Sequence, residues 1–509
     1  MNIKLMKSPK VGNSLLVIFT YSDLIKSSYD TFSRQFKMKG PVNFLNDLKQ
    51  SEEITGKNGE MTLVHTLMIE DFSYKPNDFE VDIRPKRILF AGLGNSQKLN
   101  SEAMRECCAN VIKKISSFSI NDFSVVIEQS KISMKESIKS ISEGFELGNY
   151  SFDEFKTSKN KGIVLNAELL TKEVKDEYLS ELEKSKITSE ASIKARDLVN
   201  RPPNVVNPEY LKDFSVDIAN QNEKLEIEIF DKNKMSELGM RAFLGVAQGS
   251  KADPYGIKLI HKGDLENEDN NIWLIGKGIT FDSGGLSLKG PLSMIDMKYD
   301  MSGGAAVISA MEAISKLNPK INVTGLCLAT ENMPGGGAQR VGDVVKSMSG
   351  KTIEVENTDA EGRLTLADAV EYAKQNGAKK IIDVATLTGA MVLSLGHERT
   401  GAFGNNDELL NILKESGDIT GEKIWIMPLD EGYKKQNRSK IADIKNTGGR
   451  AAGSITAAHF IGEFVGDTPW VHLDIAGTAN SASRKGWIPQ GATGFPCRTL
   501  IETVLKLQY

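Results

Sequence analysis

A chain of 509 residues exceeds one ordinary hydrophobic core, so two domains are expected. With 40% hydrophobic and 26% charged residues, its composition is that of a folded, soluble chain and excludes a disordered or fibrous one. A net charge of −4 gives no bulk-charge reason to make nucleic acid the main partner.

At the start of the chain, Lys4, Lys7 and Lys10 precede the apolar run 15–19. That run is too short for a signal segment and no small-residue cleavage site follows it, so a buried strand is expected. No stretch approaches the roughly 20 apolar residues that cross a bilayer, so no membrane role is expected. Cys107, Cys108, Cys327 and Cys497 show neither CxxC pairing nor a disulfide framework, and a reducing cytoplasm is the expected setting.

Further strands are expected at 87–91, 123–127 and 162–165, with helices around 101–115 and 135–147, which makes residues 1–185 a small N-terminal α/β domain. Its Gly92-Leu93-Gly94 opens like a dinucleotide fingerprint, but Gln97 stands where the third glycine belongs, so a plain strand-to-helix turn is the better reading. Residues 168–200 are charged and helix-compatible and end at Arg201-Pro202-Pro203-Asn204, where two prolines stop a helix. They read as a linker helix to about residue 200, handing over to a C-terminal domain, 186–509. There 272–275, 323–328 and 381–387 read as strands. Ala306, Val307, Ala310, Met311, Ile314 and Leu317 share one helical face, and Leu366, Val370 and Ala373 form another stripe ending near Gly377. Alternating strands and helices imply crossover units, hence an α/β fold with a mixed, largely parallel central sheet flanked by helices. Ligands gather beyond the carboxyl ends of such strands. Lys277 follows one expected strand and Asp359 closes another.

The usual catalytic motifs are missing. The five histidines, His65, His261, His397, His459 and His472, show no ligand spacing such as HExxH, and there is no G-x-S-x-G elbow. Gly350-Lys351-Thr352 ends like a phosphate-binding loop, but Val345 replaces the required glycine and a strand follows instead of a helix. Asn357-Thr358-Asp359-Ala360-Glu361-Gly362-Arg363-Leu364 is different: it sets charges at alternate positions after the strand-like Ile353-Glu354-Val355. If the extended conformation continues, Asp359 and Glu361 share a side and repel unless a cation lies between them. A second polar cluster in a glycine-rich stretch, 276–285, continues through Lys289 to 297–301 and adds Lys277, Asp282 and Asp300. Together these carboxylates suit two divalent cations, and carboxylates are hard ligands for manganese, magnesium or zinc.

Residues 276–285, 297–301 and 357–364 resemble the signature segments of the leucyl aminopeptidase family, the cytosolic M17 metallopeptidases. Further matches are Ala195-Arg196-Asp197-Leu198-Val199-Asn200-Arg201-Pro202-Pro203-Asn204, Ala442-Asp443-Ile444, and the runs 449–454 and 472–477. They cover most of the chain from about residue 190, whereas the first part resembles the family only in size and α/β pattern. The resemblance implies two divalent metal ions per subunit, Mn²⁺ or Zn²⁺, one held by Lys277, Asp282, Asp300 and Glu361 and the other by Asp282, Asp359 and Glu361. It implies catalytic roles for Lys289 and Arg363, bicarbonate at Arg363 as general base, and a substrate pocket lined by Met297, Asn357, Thr386, Leu387 and Gly389. N-terminal amino acids would be released from peptides by metal-activated hydroxide, within a cytoplasmic homohexamer.

Physical chemistry fits those roles. A coordinating Lys277 must be neutral, and a neighbouring dication depresses its pKa. Lys289 stays cationic and stabilises the oxyanion. Arg363 cannot deprotonate, but its planar fork suits a planar oxyanion. A Met-lined pocket favours Leu- or Met-like N-terminal residues. Two rivals remain. One is a DNA-binding or regulatory role beside or instead of peptidase activity, since some members of the family bind DNA. The other is a two-metal phosphoesterase, which usually has histidine ligands that this cluster lacks.

Overall fold

The computed structural model describes residues 1–508 apart from 10–13, 28–34, 38–42, 68, 70, 77–78, 80–81, 119 and 159–164. The chain forms two compact units, one of residues 1–189 with 484–489, the other of residues 190–483 with 490–509.

The first unit is built on a 6-stranded sheet. Asn2–Met6, Asn166–Leu170, Asp122–Val126, Leu16–Thr20 and Arg87–Gly92 run parallel in that spatial order, and Met61–His65 is antiparallel at the edge. The expected strands at 15–19, 87–91 and 123–127 match three of these to within a residue. Of the strand expected at 162–165, residues 162–164 lie outside the described residues; the observed strand begins at Asn166. The helix Ser101–Ser116 is capped by Asn100, and Met134–Gly148 by a Ser133/Glu136 capping box, which satisfies amide donors orphaned at the first turn. Gly92-Leu93-Gly94 leads into the turn and short 3-10 helix Ser96–Lys98, as a plain connection would. Trp487, from the 484–489 segment, is fully buried in this unit. Its indole N–H donates to Glu102 at 2.8 Å, and the Arg105 guanidinium lies 5.9 Å from its ring.

Residues 168–170 belong to the strand Asn166–Leu170 rather than to the charged helix expected from 168. The helix itself is Asp176–Asn200, and the division between the units falls within it.

The second unit has an 8-stranded mixed sheet. Its centre, in spatial order Trp470–Asp474, Ile381–Ala385, Asn271–Asp282 and Asn322–Asn332, is parallel. Tyr255–Lys262 and Glu226–Phe230 extend one side antiparallel; Thr400–Gly404 and Ile424–Ile426 extend the other. The helix Ser302–Leu317 buries the expected stripe, each residue of it fully except the half-buried Leu317. It presses close to the sheet because Gly303 lacks a side chain: a Cβ there would lie 2.1 Å from the Val384 carbonyl oxygen. The helix Gly362–Gln375 is buried along nearly its whole length. Leu366, Val370 and Ala373 pack on Trp273 and Ile275 of the sheet, while Leu364 and Ala367 pack with Phe460 and Phe464 of the helix Gly453–Val465. Burying such a side chain contributes about 1.5–3 kcal/mol, so the first turn of Gly362–Gln375 has a firm seat.

Candidate metal centre and cleft

All four central strands deliver residues from their carboxyl ends. Asp282 ends Asn271–Asp282, Asn332 ends Asn322–Asn332, Thr386 and Leu387 follow Ile381–Ala385, and Asp474 ends Trp470–Asp474. Lys277 lies inside the first of these strands, not after it as expected, because pairing runs on through Gly276 and Gly278. A register shift between Ile279 and Asp282 then redirects the strand end.

The octapeptide reaches the site differently from the expectation. Extended structure stops at Glu354, the end of Thr352–Glu354, so Asp359 and Glu361 do not converge by strand alternation. A turn brings them together. The Asn357 side chain accepts the Asp359 N–H at 2.9 Å, the Ala360 N–H donates to the Asn357 carbonyl, and Glu361 adopts helical backbone angles at the mouth of Gly362–Gln375. One oxygen each from Asp282, Asp359 and Glu361 lie within 4.8 Å of one another.

Two lysines interleave with these carboxylates. Lys277 Nζ lies 2.7 Å from Asp300 Oδ2 and 2.8 Å from Glu361 Oε1. Lys289 Nζ lies 2.8 Å from Asp282 Oδ2 and 2.5 Å from Asp359 Oδ1. Burial acts to lower the Lys277 ammonium pKa, but Asp300, Glu361 and Asp282 outweigh it and hold the group above the usual lysine range. Burial likewise opposes Lys289, and Asp282, Glu361 and Asp359 outweigh it. Burial raises Asp300, Asp359 and Glu361 above the ordinary carboxylate range; the neighbouring carboxylates add to it and the lysines oppose it. Gly362 makes room for this packing, since a Cβ there would lie 2.6 Å from Lys277 Cε.

The residues fit divalent cations. Among the described residues, Asp300 Oδ2, Asp359 Oδ1 and both Glu361 oxygens accept no well-directed hydrogen bond although buried; the first two and Glu361 Oε1 have only the lysine contacts given above. Buried carboxylate oxygens without donors are costly unless a cation serves them. Asp282 differs: its Oδ1 takes donors from Asn332 Nδ2 at 2.8 Å and the Gly284 N–H at 2.9 Å, which leaves Oδ2 for the cluster.

A cleft of about 530 Å³ opens beside the centre, and every site residue singled out from the sequence lines it: Lys277, Asp282, Asp300, Asp359, Glu361, Lys289, Arg363, Met297, Asn357, Thr386, Leu387 and Gly389. Arg363 Nη1 donates to the Asn446 carbonyl at 2.9 Å, while its Nε has no hydrogen-bond partner. Burial pushes the guanidinium down to about 10 against the pull of Glu361 and Asp474.

Sequence reasoning missed Asn332, Asp474 and Asn446, which hold these groups in place, and gave Thr386 only a pocket role. Asn332 ties Asp282 to the Thr358 carbonyl, and Thr386 Oγ1 donates to Asp300 Oδ1 at 2.8 Å. Asp474 accepts from the Thr388 hydroxyl at 2.7 Å and the Leu387 N–H at 3.2 Å, shaping the cleft wall. Asn446 binds the octapeptide turn. Asp474 lay in plain sight within the quoted run 472–477; lone asparagines carry no periodicity or spacing by which to find them.

Residues 193–501 match the catalytic domain of the cytosol aminopeptidase family, and residues 17–159 match its N-terminal domain. A probable cytosol aminopeptidase of Clostridium perfringens is 42% identical, over 90% of this chain and 92% of the relative. One from Alkaliphilus oremlandii is 38% identical over the full length of both. Among solved structures, a variant of tomato leucine aminopeptidase superposes with a TM-score of 0.85 at 31% identity, covering 99% of this chain and 96% of the other. The bottromycin maturation enzyme BotP in complex with Mn superposes with a TM-score of 0.83 at 28% identity, covering 98% and 100%. Fold, site and likenesses define a metal-dependent peptidase. The chain belongs to the cytosol aminopeptidase family and is an aminopeptidase, a hydrolase acting at peptide N-termini.

Proposed function

We propose that this enzyme is a dinuclear-metal aminopeptidase that releases Leu- or Met-like residues from peptide N-termini. The observation that carries the reading is Glu361, a buried carboxylate between Lys277 and Asp282 whose two oxygens accept no well-directed hydrogen bond and have only the Lys277 ammonium beside them. In this reading Lys277, Asp282, Asp300 and Glu361 hold one metal and Asp282, Asp359 and Glu361 hold the other, Mn²⁺ or Zn²⁺. When bound, the pair supplies an activated water nucleophile and Lewis acidity toward the substrate's α-amine and carbonyl. To coordinate, Lys277 must surrender the proton that its carboxylate neighbours favour, which a dication's field achieves.

Lys289 keeps its proton and presents a charge to the oxygen that becomes anionic as the carbonyl is attacked. Arg363 offers a planar donor edge to a bicarbonate ion, to which the general-base role falls. Met297 and Leu387 furnish an apolar wall for the N-terminal side chain.

The deciding assay uses chelated protein with single metals restored, measured on leucine and alanine p-nitroanilides. Activity is expected to return with manganese or zinc, and leucine is expected to lead by at least about 10–200-fold, since an apolar pocket achieves that for one methylene and the leucine side chain has three more carbons than alanine. No activity with manganese, zinc, cobalt or magnesium sinks the reading.

We further infer a cytoplasmic homohexamer. The family resemblance supports it, as do Leu288, Leu292 and Ile295, exposed by 60, 87 and 69% on and beside the short helix Pro291–Met294 of the catalytic unit. The free, buried cysteines agree with a reducing compartment. Sedimentation equilibrium returning a monomer overturns the assembly.

A further inference from the structure

We propose that Asn446 is a positioning residue of this active site, fixing the metal-binding turn with its side chain and the Arg363 guanidinium with its backbone carbonyl. The proposal rests on the roles given above to that turn and to Arg363.

Asn446 follows the two-residue strand Ile444–Lys445, which pairs with Thr352–Glu354 immediately upstream of the octapeptide. Its N–H donates to the Glu354 carbonyl at 2.9 Å, one more rung of that pairing. The residue is 0% exposed. Its Oδ1 accepts the N–H of Glu356 at 3.0 Å and of Asn357 at 3.3 Å. Its Nδ2 donates to the carbonyls of Asn357 at 2.6 Å and Ala360 at 3.2 Å. A primary amide has two donor hydrogens and two acceptor lone pairs, and here all are engaged by backbone from 356 to 360. These bonds bracket Asp359, and the last of them lies one residue before Glu361. Its own carbonyl then accepts Arg363 Nη1 at 2.9 Å, leaving the Arg363 Nε side without a partner.

The consequence is geometric. The turn that presents Asp359 and Glu361 is not part of a sheet, so nothing periodic holds its backbone. Asn446 replaces that missing ladder. Aspartate at 446 would keep the acceptor bonds but set a carboxylate oxygen against the Asn357 and Ala360 carbonyls. Alanine would lose all the side-chain bonds while retaining the carbonyl that Arg363 uses, now no longer registered to the turn. Asn446 touches neither metal nor substrate in this arrangement; it acts through the residues that do.

The test compares wild type, Asn446→Ala, Asn446→Asp, Arg363→Ala and the double variant Asn446→Ala/Arg363→Ala. Manganese affinity of chelated protein is measured by titration calorimetry, kcat and KM at saturating manganese, and folding by circular dichroism. Asn446→Ala is expected to weaken manganese binding by about 10–100-fold, the range for partners that orient metal ligands. At saturating manganese, kcat should fall with KM little changed, and Asn446→Asp should be at least as impaired. The double variant should be no slower than Arg363→Ala alone, because the remaining effect runs through Arg363. Wild-type manganese affinity and kcat in a folded Asn446→Ala overturn the proposal, as do kcat losses that multiply in full in the double variant. If Asn446→Ala does not fold, Asn446→Ser is read in its place, and failure of every substitution to fold overturns positioning in favour of a purely structural role. Wild-type protein without manganese-dependent activity would instead defeat the functional reading beneath, which the calorimetry distinguishes.

Discussion

Glu361→Ala will lose both metals and all measurable peptidase activity while remaining folded. Of the two carboxylates proposed to serve both ions, Asp282 commits one oxygen to Asn332 and Gly284, whereas Glu361 has only the Lys277 ammonium, at 2.8 Å from its Oε1, a charge that a metal would displace. Removing an orienting partner of a ligand costs about 10–100-fold in affinity, so removing a shared ligand should exceed that range. Folding should survive, because two consequences oppose. The mutation relieves a buried carboxylate whose pKa burial and Asp282 push up, and it leaves Lys277 with Asp300 as its remaining close ion-pair partner. The readout is metal content by elemental analysis together with thermal unfolding. Manganese at 100 times its Kd should stabilise wild type by about 2.7 kcal/mol for each site filled and leave Glu361→Ala unshifted. Asp359→Ala should retain at most the ion on the Lys277 and Asp300 side. Two metals per chain in Glu361→Ala would refute the shared-ligand assignment.

The sequence carried most of this site because its charges sit in short runs beside strongly patterned elements. The stripe of Val307, Met311 and Ile314 located its helix, and the apolar runs at 272–275, 323–328 and 381–387 located three strands of the central sheet. What it could not carry was the path between them. Lys277 sits inside a strand because pairing to Asn322–Asn332 continues through Gly276 and Gly278, which local propensity would end. Asp359 and Glu361 meet by a turn, since Asn357 caps its own backbone where alternation predicted more strand. The 484–489 segment was invisible for a different reason: Trp487 joins the first unit by a contact nearly four hundred positions from Glu102, and no local pattern reports such a partner. Asn446 falls between two matched motifs, a single polar residue whose importance lies wholly in tertiary hydrogen bonds.

Arg363→Ala will keep its metals and lose rate. Among the described residues the side chain forms no ion pair with a carboxylate of the cluster; its hydrogen bond runs to the Asn446 carbonyl. Removing it therefore leaves the ligand set intact. Its burial suits the proposed role, since a buried guanidinium is poorly solvated and its partnerless Nε has a strong demand for an acceptor. A planar oxyanion meets that demand with paired hydrogen bonds. If that oxyanion is the base, kcat should fall by about 10²–10⁴-fold, the contribution of positioned proton transfer, with KM little changed. Wild type should slow in bicarbonate-free buffer and recover when bicarbonate is added, while Arg363→Ala ignores it. Arg363→Lys should not restore the rate, because an ammonium is a point donor without a fork. A collapse of metal content in Arg363→Ala would make the arginine part of the metal scaffold, and a bicarbonate response undiminished in that variant would move the base elsewhere in the cleft.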